Sequence, residues 1–188
     1  MRVLFDFFIN IARWACRRPE NVGFFIGEYK LRRTDREVTD AQKMKAILDR
    51  CKIVSYAMWD GKKPYAVIMN FGYEFTPEGK LRLYSHSALE GKKVSIIRGI
   101  CNKAAAIMEC GERVVIDPEI PCKSGSAFQS IMASGTMKIL QGSEARHALE
   151  VFYRHQTGVV LPFPEGAENF VTMFCLECDE YTCKICVK

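Results

Sequence analysis

The stretch from Ile53 to Ser85 constrains the fold of this chain most. Ile53-Val54-Ser55-Tyr56-Ala57-Met58-Trp59 is followed by Asp60-Gly61 and then by Pro64 to Phe75, a second run rich in apolar and aromatic residues. Aspartate followed by glycine between two such runs is a strong hairpin signal. A further turn at Thr76-Pro77-Glu78-Gly79-Lys80 leads into a third run, Leu81 to Ser85. Three consecutive antiparallel strands are therefore expected, and a chain that commits this early to hairpins builds a sheet that must either close or cover its edges.

The remaining pattern supplies the rest of such a sheet. Thr39-x-x-Gln42 fits a capping box for a helix with Met44, Ile47, Leu48 and Cys51 on one side. Ala104 to Cys110 and Arg113 to Asp117 read as strands around Gly111, followed by a Pro, Gly and Ser-rich loop from Asp117 to Ser126 and a long strand through Ser130 to Ile139. Ala145, Ala148, Leu149 and Phe152 mark an amphipathic helix from Ser143 to Gln156, and Phe170 to Leu176 is the last strand. The expected class is mainly β with helices (α+β), with six antiparallel strands in a closed or partly open barrel.

Leu83-Tyr84-Ser85-His86-Ser87-Ala88-Leu89-Glu90-Gly91-Lys92-Lys93-Val94 reads as a strand entering a helix, with Val94, Ile97 and Cys101 at helical spacing. Free N–H groups at a helix start favour phosphate, and Lys92 and Lys93 add cations there. The competing reading is an ordinary capped helix, because Ser87-x-x-Glu90 also fits a capping box.

At 188 residues the chain is long enough for one domain plus an arm, and its +5 net charge, from 27 basic and 22 acidic residues spread widely, gives little footing for nucleic acid. Nine cysteines, an odd number, without a convincing signal peptide before them argue for reduced thiols in a cytoplasm rather than a disulfide framework. Leu4, Phe7, Phe8, Ile11, Trp14 and Ala15 line one face of a helix over residues 2 to 15, too short to span a bilayer. Such a face suits a packing or dimer-contact arm, with membrane-surface contact through residues 1–18 as the alternative. Three segments follow: an arm at 1–30, a barrel domain at 31–177 and a cysteine-rich tail at 178–188.

That tail belongs to Cys175-x2-Cys178-x4-Cys183-x2-Cys186. Two C-x-x-C pairs suit zinc or an iron–sulfur cluster when a turn gathers the thiolates. Against a metal, the strand alternation around Cys175 points it away from Cys178, and the four-residue gap is short beside the ~15 residues of a zinc ribbon. A frayed tail of reduced thiols is the reading preferred over zinc.

From Leu31 to Leu176 the sequence resembles the flavin-binding split barrels related to pyridoxamine 5'-phosphate oxidase, especially their nitroimidazole-resistance branch. The resemblance rests on Arg33 to Val38, Pro64-Tyr65 through Asn70-Phe71-Gly72-Tyr73, Tyr84 to Lys93, Ser130 to Gly135, and Gly142 to Gly158. It implies a homodimeric split barrel with FMN in a groove between subunits. By position, Val67, Ile68, Met69 and Asn70 would lie along the isoalloxazine. Tyr84, Ser85 and Ser87 would lie near the ribityl and phosphate, Gly91, Lys92 and Lys93 at the phosphate, and Ser130 would approach the ring from a later strand. Relatives often carry arginine where Lys92 stands, so bidentate phosphate recognition is lost while the charge remains. His86 would face the flavin neighbourhood as a substrate-binding or proton-delivering group, or as a plain hydrogen-bonding partner. His147 and His155 read as surface or packing residues.

The function implied is an FMN-dependent oxidoreductase that uses NAD(P)H or another donor to reduce a small organic acceptor, a nitroaromatic being one candidate. Pyridoxamine phosphate oxidase activity itself is disfavoured, because that enzyme's Arg-x-His carboxyl-terminal segment has no counterpart here. The alternatives are a non-catalytic flavin or haem binder and a zinc-binding interaction protein acting through the cysteine tail.

Overall fold

The computed structural model describes residues 32–188. The amphipathic segment 2–15 and the arm boundary at residue 30 lie outside the described residues. A short 3-10 turn at Thr34–Arg36 leads to helix α1, Ala41–Arg50. Its cap is Asp40, whose Oδ1 accepts from the Lys43 N–H at 2.7 Å, so the capping group is one residue later than the Thr39 box suggests. Met44, Ile47 and Leu48 point from this helix into the main core.

Seven strands form one antiparallel sheet: β1 Ile53–Trp59, β2 Pro64–Asn70, β3 Gly72–Phe75, β4 Leu81–Ser87, β5 Lys103–Val115, β6 Gly125–Ile139 and β7 Thr172–Cys186, in the order β2-β1-β5-β6-β7-β4-β3. The sheet has seven strands rather than the expected six, and the run from Pro64 to Phe75 supplies two of them, parting at Phe71. Its first half pairs with β1 (Tyr56 opposite Val67) and its second half with β4 (Gly72 opposite Tyr84). The two expected strands around Gly111 are one strand, β5, with a bulge between Cys110 and Arg113.

Strand alternation builds the core. Val54, Tyr56, Leu81, Leu83, Ala106, Met108, Ile131, Met137, Phe174 and Leu176 meet inside the barrel. The long helix α3, Gly142–Thr157, packs outside on β3, β4 and β7, where Ala145, Ala148 and Val151 meet Tyr84, Met173 and Cys175. Between β4 and β5 lies one α-helical turn, α2 at Lys92–Ser95, which widens into a π turn at Ile96–Ile100. Its N-cap is Gly91 with no side-chain cap, and Ser87 Oγ turns instead to the Ala88 carbonyl at 3.0 Å, so the Ser87/Glu90 capping box does not form.

Residues 178–188 are not a frayed tail. β7 continues through them to Cys186, pairing Ile131 with Cys183 and Phe128 with Cys186 across a bulge at Ser134/Gly135. The alternation keeps Cys178 and Cys183 inside the barrel, which made that segment look like a cysteine motif rather than a strand. Among the described residues, no helix is long and apolar enough to cross a membrane.

Candidate functional site

The barrel opens where its backbone ladder stops. β4 leaves β3 at Tyr84, and Ser85 to Ser87 pair only with β7, opposite Phe174, Met173 and Thr172. On the other side β2 pairs only with β1. Side chains bridge the gap: Ser85 Oγ donates to the Asn70 carbonyl at 2.8 Å and lies 3.1 Å from the Tyr56 hydroxyl. Asn70 Nδ2 donates to the Lys52 carbonyl (3.2 Å) and to Gln156 Oε1 (3.1 Å).

The expected flavin-contact residues of β2 alternate across this edge. Val67 and Met69 pack against the core, whereas Asn70 is exposed and Ile68 is 71% exposed on the outer face. What the four share on one side is the strand's backbone edge. On β4 the alternation separates residues that the resemblance put together. Ser85 lies inside with Tyr56, but Tyr84 and His86 point outward beneath α3. The Tyr84 hydroxyl donates to Glu74 Oε1 at 2.5 Å, and Glu74 Oε2 lies 2.8 Å from His147 Nε2. Tyr84 is thus committed to a carboxylate on the α3 side, and His147 is a partner in that cluster rather than a bystander.

His86 stands edge-on to Phe152 of α3 at 4.7 Å between ring centroids. Its half-burial, and then the positive charge of Lys93, hold its pKa below the usual imidazole range, so the ring is neutral at pH 7. A neutral ring offers one nitrogen as donor and one as acceptor.

The lysine pair is unequal. Lys92 Nζ is 2.7 Å from Asp60 Oδ2 in the β1–β2 turn and 4.7 Å from the centroid of the Tyr65 ring, and this hydrogen bond holds the Asp60 carboxyl far below the usual range. Lys93 makes no ion pair among the described residues. The chain reaches both through Gly91, whose φ of 138° suits glycine and lets the backbone turn from strand to helix.

Ser130 is elsewhere. It sits on the outer side of β6, only 6% exposed, and its hydroxyl is the buried side-chain oxygen without a hydrogen-bond partner among the described residues. β1 and β5 stand between β6 and β2, about 14 Å at ~4.8 Å per strand step. Within one chain Ser130 does not join the β2, β4 and α2 residues.

The residues therefore fit a flavin in part. An open strand edge, a helix start with the cation Lys93, and an orphaned buried hydroxyl are the donor types that a flavin's ring edge and phosphate accept. Lys92 and the side chains of Asn70 and Tyr84 are already engaged.

The four late cysteines do not converge. Cys175 faces α3, Cys178 and Cys183 lie in the barrel core, and Cys186 Sγ is 3.3 Å from the Ser126 carbonyl. Among the described residues no group of three or more His, Cys, Asp or Glu is placed to hold a metal, so the zinc alternative at Cys175, Cys178, Cys183 and Cys186 has no geometry behind it. Burial pushes the Cys175 and Cys178 thiols up to about 12 and Cys183 to about 11, which marks them as inert core groups.

Glu74, Gln156 and Asp60 were not legible as site-shaping residues. The partners that shape the site lie 10 to 104 positions away in sequence, and only Asp60 carries a local signal, the hairpin turn, which speaks of shape and not of Lys92.

No protein-family model matches the chain, and no curated protein matches it. Among solved structures it is similar to a candidate 5-nitroimidazole antibiotic resistance protein from Bacteroides thetaiotaomicron, at 26% identity over 79% of this chain and 86% of that one, with a TM-score of 0.66. An FAD- and haem-binding protein from Mycobacterium smegmatis shares the fold at 16% identity, covering 81% of this chain and 74% of that one, with a TM-score of 0.67. A candidate pyridoxamine 5'-phosphate oxidase from Listeria innocua does so at 17% identity, over 77% and 95%, with a TM-score of 0.50. The chain shares its fold with these proteins, among them a candidate pyridoxamine 5'-phosphate oxidase, which is consistent with a split barrel of that kind. Within that group the nitroimidazole-resistance protein is the one similar to it above 25% identity among these three.

Proposed function

We propose that the chain is a flavin-binding homodimer that works as an FMN-dependent oxidoreductase on a small organic acceptor, with nitroaromatics as the first class to test and NAD(P)H as the electron donor. The observation that carries this reading is the split itself, where the ladder between β2 and β4 is missing and Lys93, without an ion pair among the described residues, follows directly at the start of α2. The FAD-binding proteins among the fold neighbours support it.

A second copy would complete the site. The outer face of β2, β1, β5 and β6 carries a row of paired neighbours, Ile68, Ser55, Ile107 and Met132, beside a row of small ones, Ala66, Ala57, Ala105 and Ser134. Ile107 and Met132 are 44% and 46% exposed, and α3 packs on the other end of the sheet. A flat apolar face of this kind seeks protein. Pairing it with another copy brings a second chain's Ser130 region toward the split.

When bound, the flavin supplies the hydride chemistry. The β2 edge would orient the ring, Lys93 would hold the phosphate, and the neutral His86 would hold or pass a proton through a ring nitrogen to the acceptor. The thiols stay reduced in a cytoplasmic setting.

The visible spectrum of the purified full-length protein, with heat release and identification of the ligand, tests this directly. FMN near one per subunit, bleached by NAD(P)H and reoxidised by a nitroaromatic, is the expected result. A haem spectrum would move the chain to the binder reading, and a colourless protein that refuses added FMN would overturn the cofactor assignment.

A further inference from the structure

We infer that Gln156 is a positioning residue that sets the opening of the split, an inference that rests on the flavin reading above. Where β2 and β4 part, a continuous path of hydrogen bonds replaces the ladder. It runs from Tyr56 to Ser85 Oγ, from Ser85 Oγ to the Asn70 carbonyl, and from Asn70 Nδ2 to Gln156 Oε1 on α3. Gln156 closes the path twice more, its Nε2 donating to the Phe71 carbonyl at 2.6 Å and to the Lys52 carbonyl at 3.0 Å. One amide thus uses both donor hydrogens and its oxygen at the residue where β2 turns into β3.

Those partners are the ones a flavin site depends on. Asn70 ends the strand edge that would carry the ring, and the Phe71 carbonyl is the hinge of the bend. The neighbouring contacts give α3 a fixed seat there: the His155 ring packs against Phe71 and Tyr73 at 4.9 and 5.2 Å, and Lys52 Nζ donates to the His155 carbonyl at 2.5 Å. Lys52 Nζ grips the same end of α3 without touching Asn70, so the grip on the helix and the grip on the split are separable.

The separation makes the test. Full-length apo-protein is titrated with FMN, following quenching of flavin fluorescence and the shape of its visible band, with thermal unfolding of each apo variant alongside. Gln156→Met keeps the side-chain length and removes all three bonds. It is expected to weaken FMN binding by about tenfold and to alter the flavin band, as loss of three hydrogen bonds at the bend implies. Asn70→Ala should show a similar loss, and the double variant no more than either alone, because both act through one path. Lys52→Met should lower the unfolding temperature yet leave FMN affinity unchanged. Additive losses, an unaltered affinity in Gln156→Met, or an equal loss in Lys52→Met would overturn the positioning role while leaving the flavin reading intact. Wild-type protein that binds no flavin would overturn both.

Discussion

At the scale of single residues, the two lysines that look equivalent in sequence have different environments. Lys92 is bonded to Asp60 and stacked over Tyr65, whereas Lys93 has no acidic partner among the described residues. Lys93→Ala is therefore expected to raise the FMN dissociation constant by about tenfold, the scale of one charge-assisted contact. Lys92→Ala should act mainly on stability, by unpairing Asp60. Equal effects of the two on FMN binding, measured by titration, would show that the phosphate competes Lys92 away from Asp60. The histidines make a second residue-scale expectation. Burial holds both His86 and His155 below the ordinary value of 6.5. The unfolded chain then binds protons that the folded chain refuses, so stability rises with pH through this window and falls as pH drops below about 6.5. Glu177 acts in the same direction at lower pH. Its bond to Lys138 holds it below 4.5, so its contribution is present above that value and is lost only as pH falls through its lowered folded pKa. Unfolding temperature against pH should descend in two steps, and His86→Gln should shrink the first and spare the second.

At the scale of elements, the contact of α3 with the β2–β3 bend rests on Gly72. A Cβ there would lie 2.5 Å from Phe152 Cα and 2.9 Å from the Val151 carbonyl, both backbone atoms of the helix. Gly72→Ala must push α3 off the bend, at a cost of roughly 2 to 4 kcal/mol, and a drop of the unfolding temperature in a thermal melt checks it. The reason Gly72 matters was hidden in the sequence, although the elements themselves were plain. The Asp60-Gly61 hairpin, the amphipathic periods of α1 and α3, and the strand at Leu81 follow local rules of turn chemistry and spacing, so they were readable. The break at Phe71 and the end of β7 were not, because both are decided by partners. Phe71 divides one apolar run because β1 claims its first half and β4 its second. Cys178 to Cys186 form a strand because β6 extends to Gly125 to meet them. The same holds for the site: the loop with Gly91, Lys92 and Lys93 was visible as a cationic turn, but the commitment of Lys92, the opposed faces of Tyr84 and Ser85, and the role of Gln156 depend on side chains brought from distant positions.

At the scale of the whole molecule, the sheet has two different outer faces. One is covered by α3, whose Ala145, Ala148 and Val151 seal Tyr84, Met173 and Cys175. The other presents Ile68, Ile107 and Met132 in a single row across three strands of the four. Exposing such a row costs about 25 cal/mol for each Å2 of apolar surface that association would cover, a driving force that grows with every strand in the face. Ser130 belongs to that same outer side, two residues from Met132 along β6, and its hydroxyl, without a partner among the described residues, is far from Lys93 within one chain. Association through this face and completion of the flavin site are thus one event in the proposed dimer, and a charge in the row should damage both. Met132→Glu and Ile107→Arg each place a charge in the centre of the face without entering the core. Either is expected to turn a dimer into a monomer in light scattering and to reduce bound FMN to a small fraction of one per subunit, while the unfolding transition of the chain remains cooperative. A variant that stays dimeric with full flavin would move the contact to another surface. A monomeric variant that keeps its flavin would show that Val67 to Asn70, Ser85 and Lys93 hold the cofactor without a second copy.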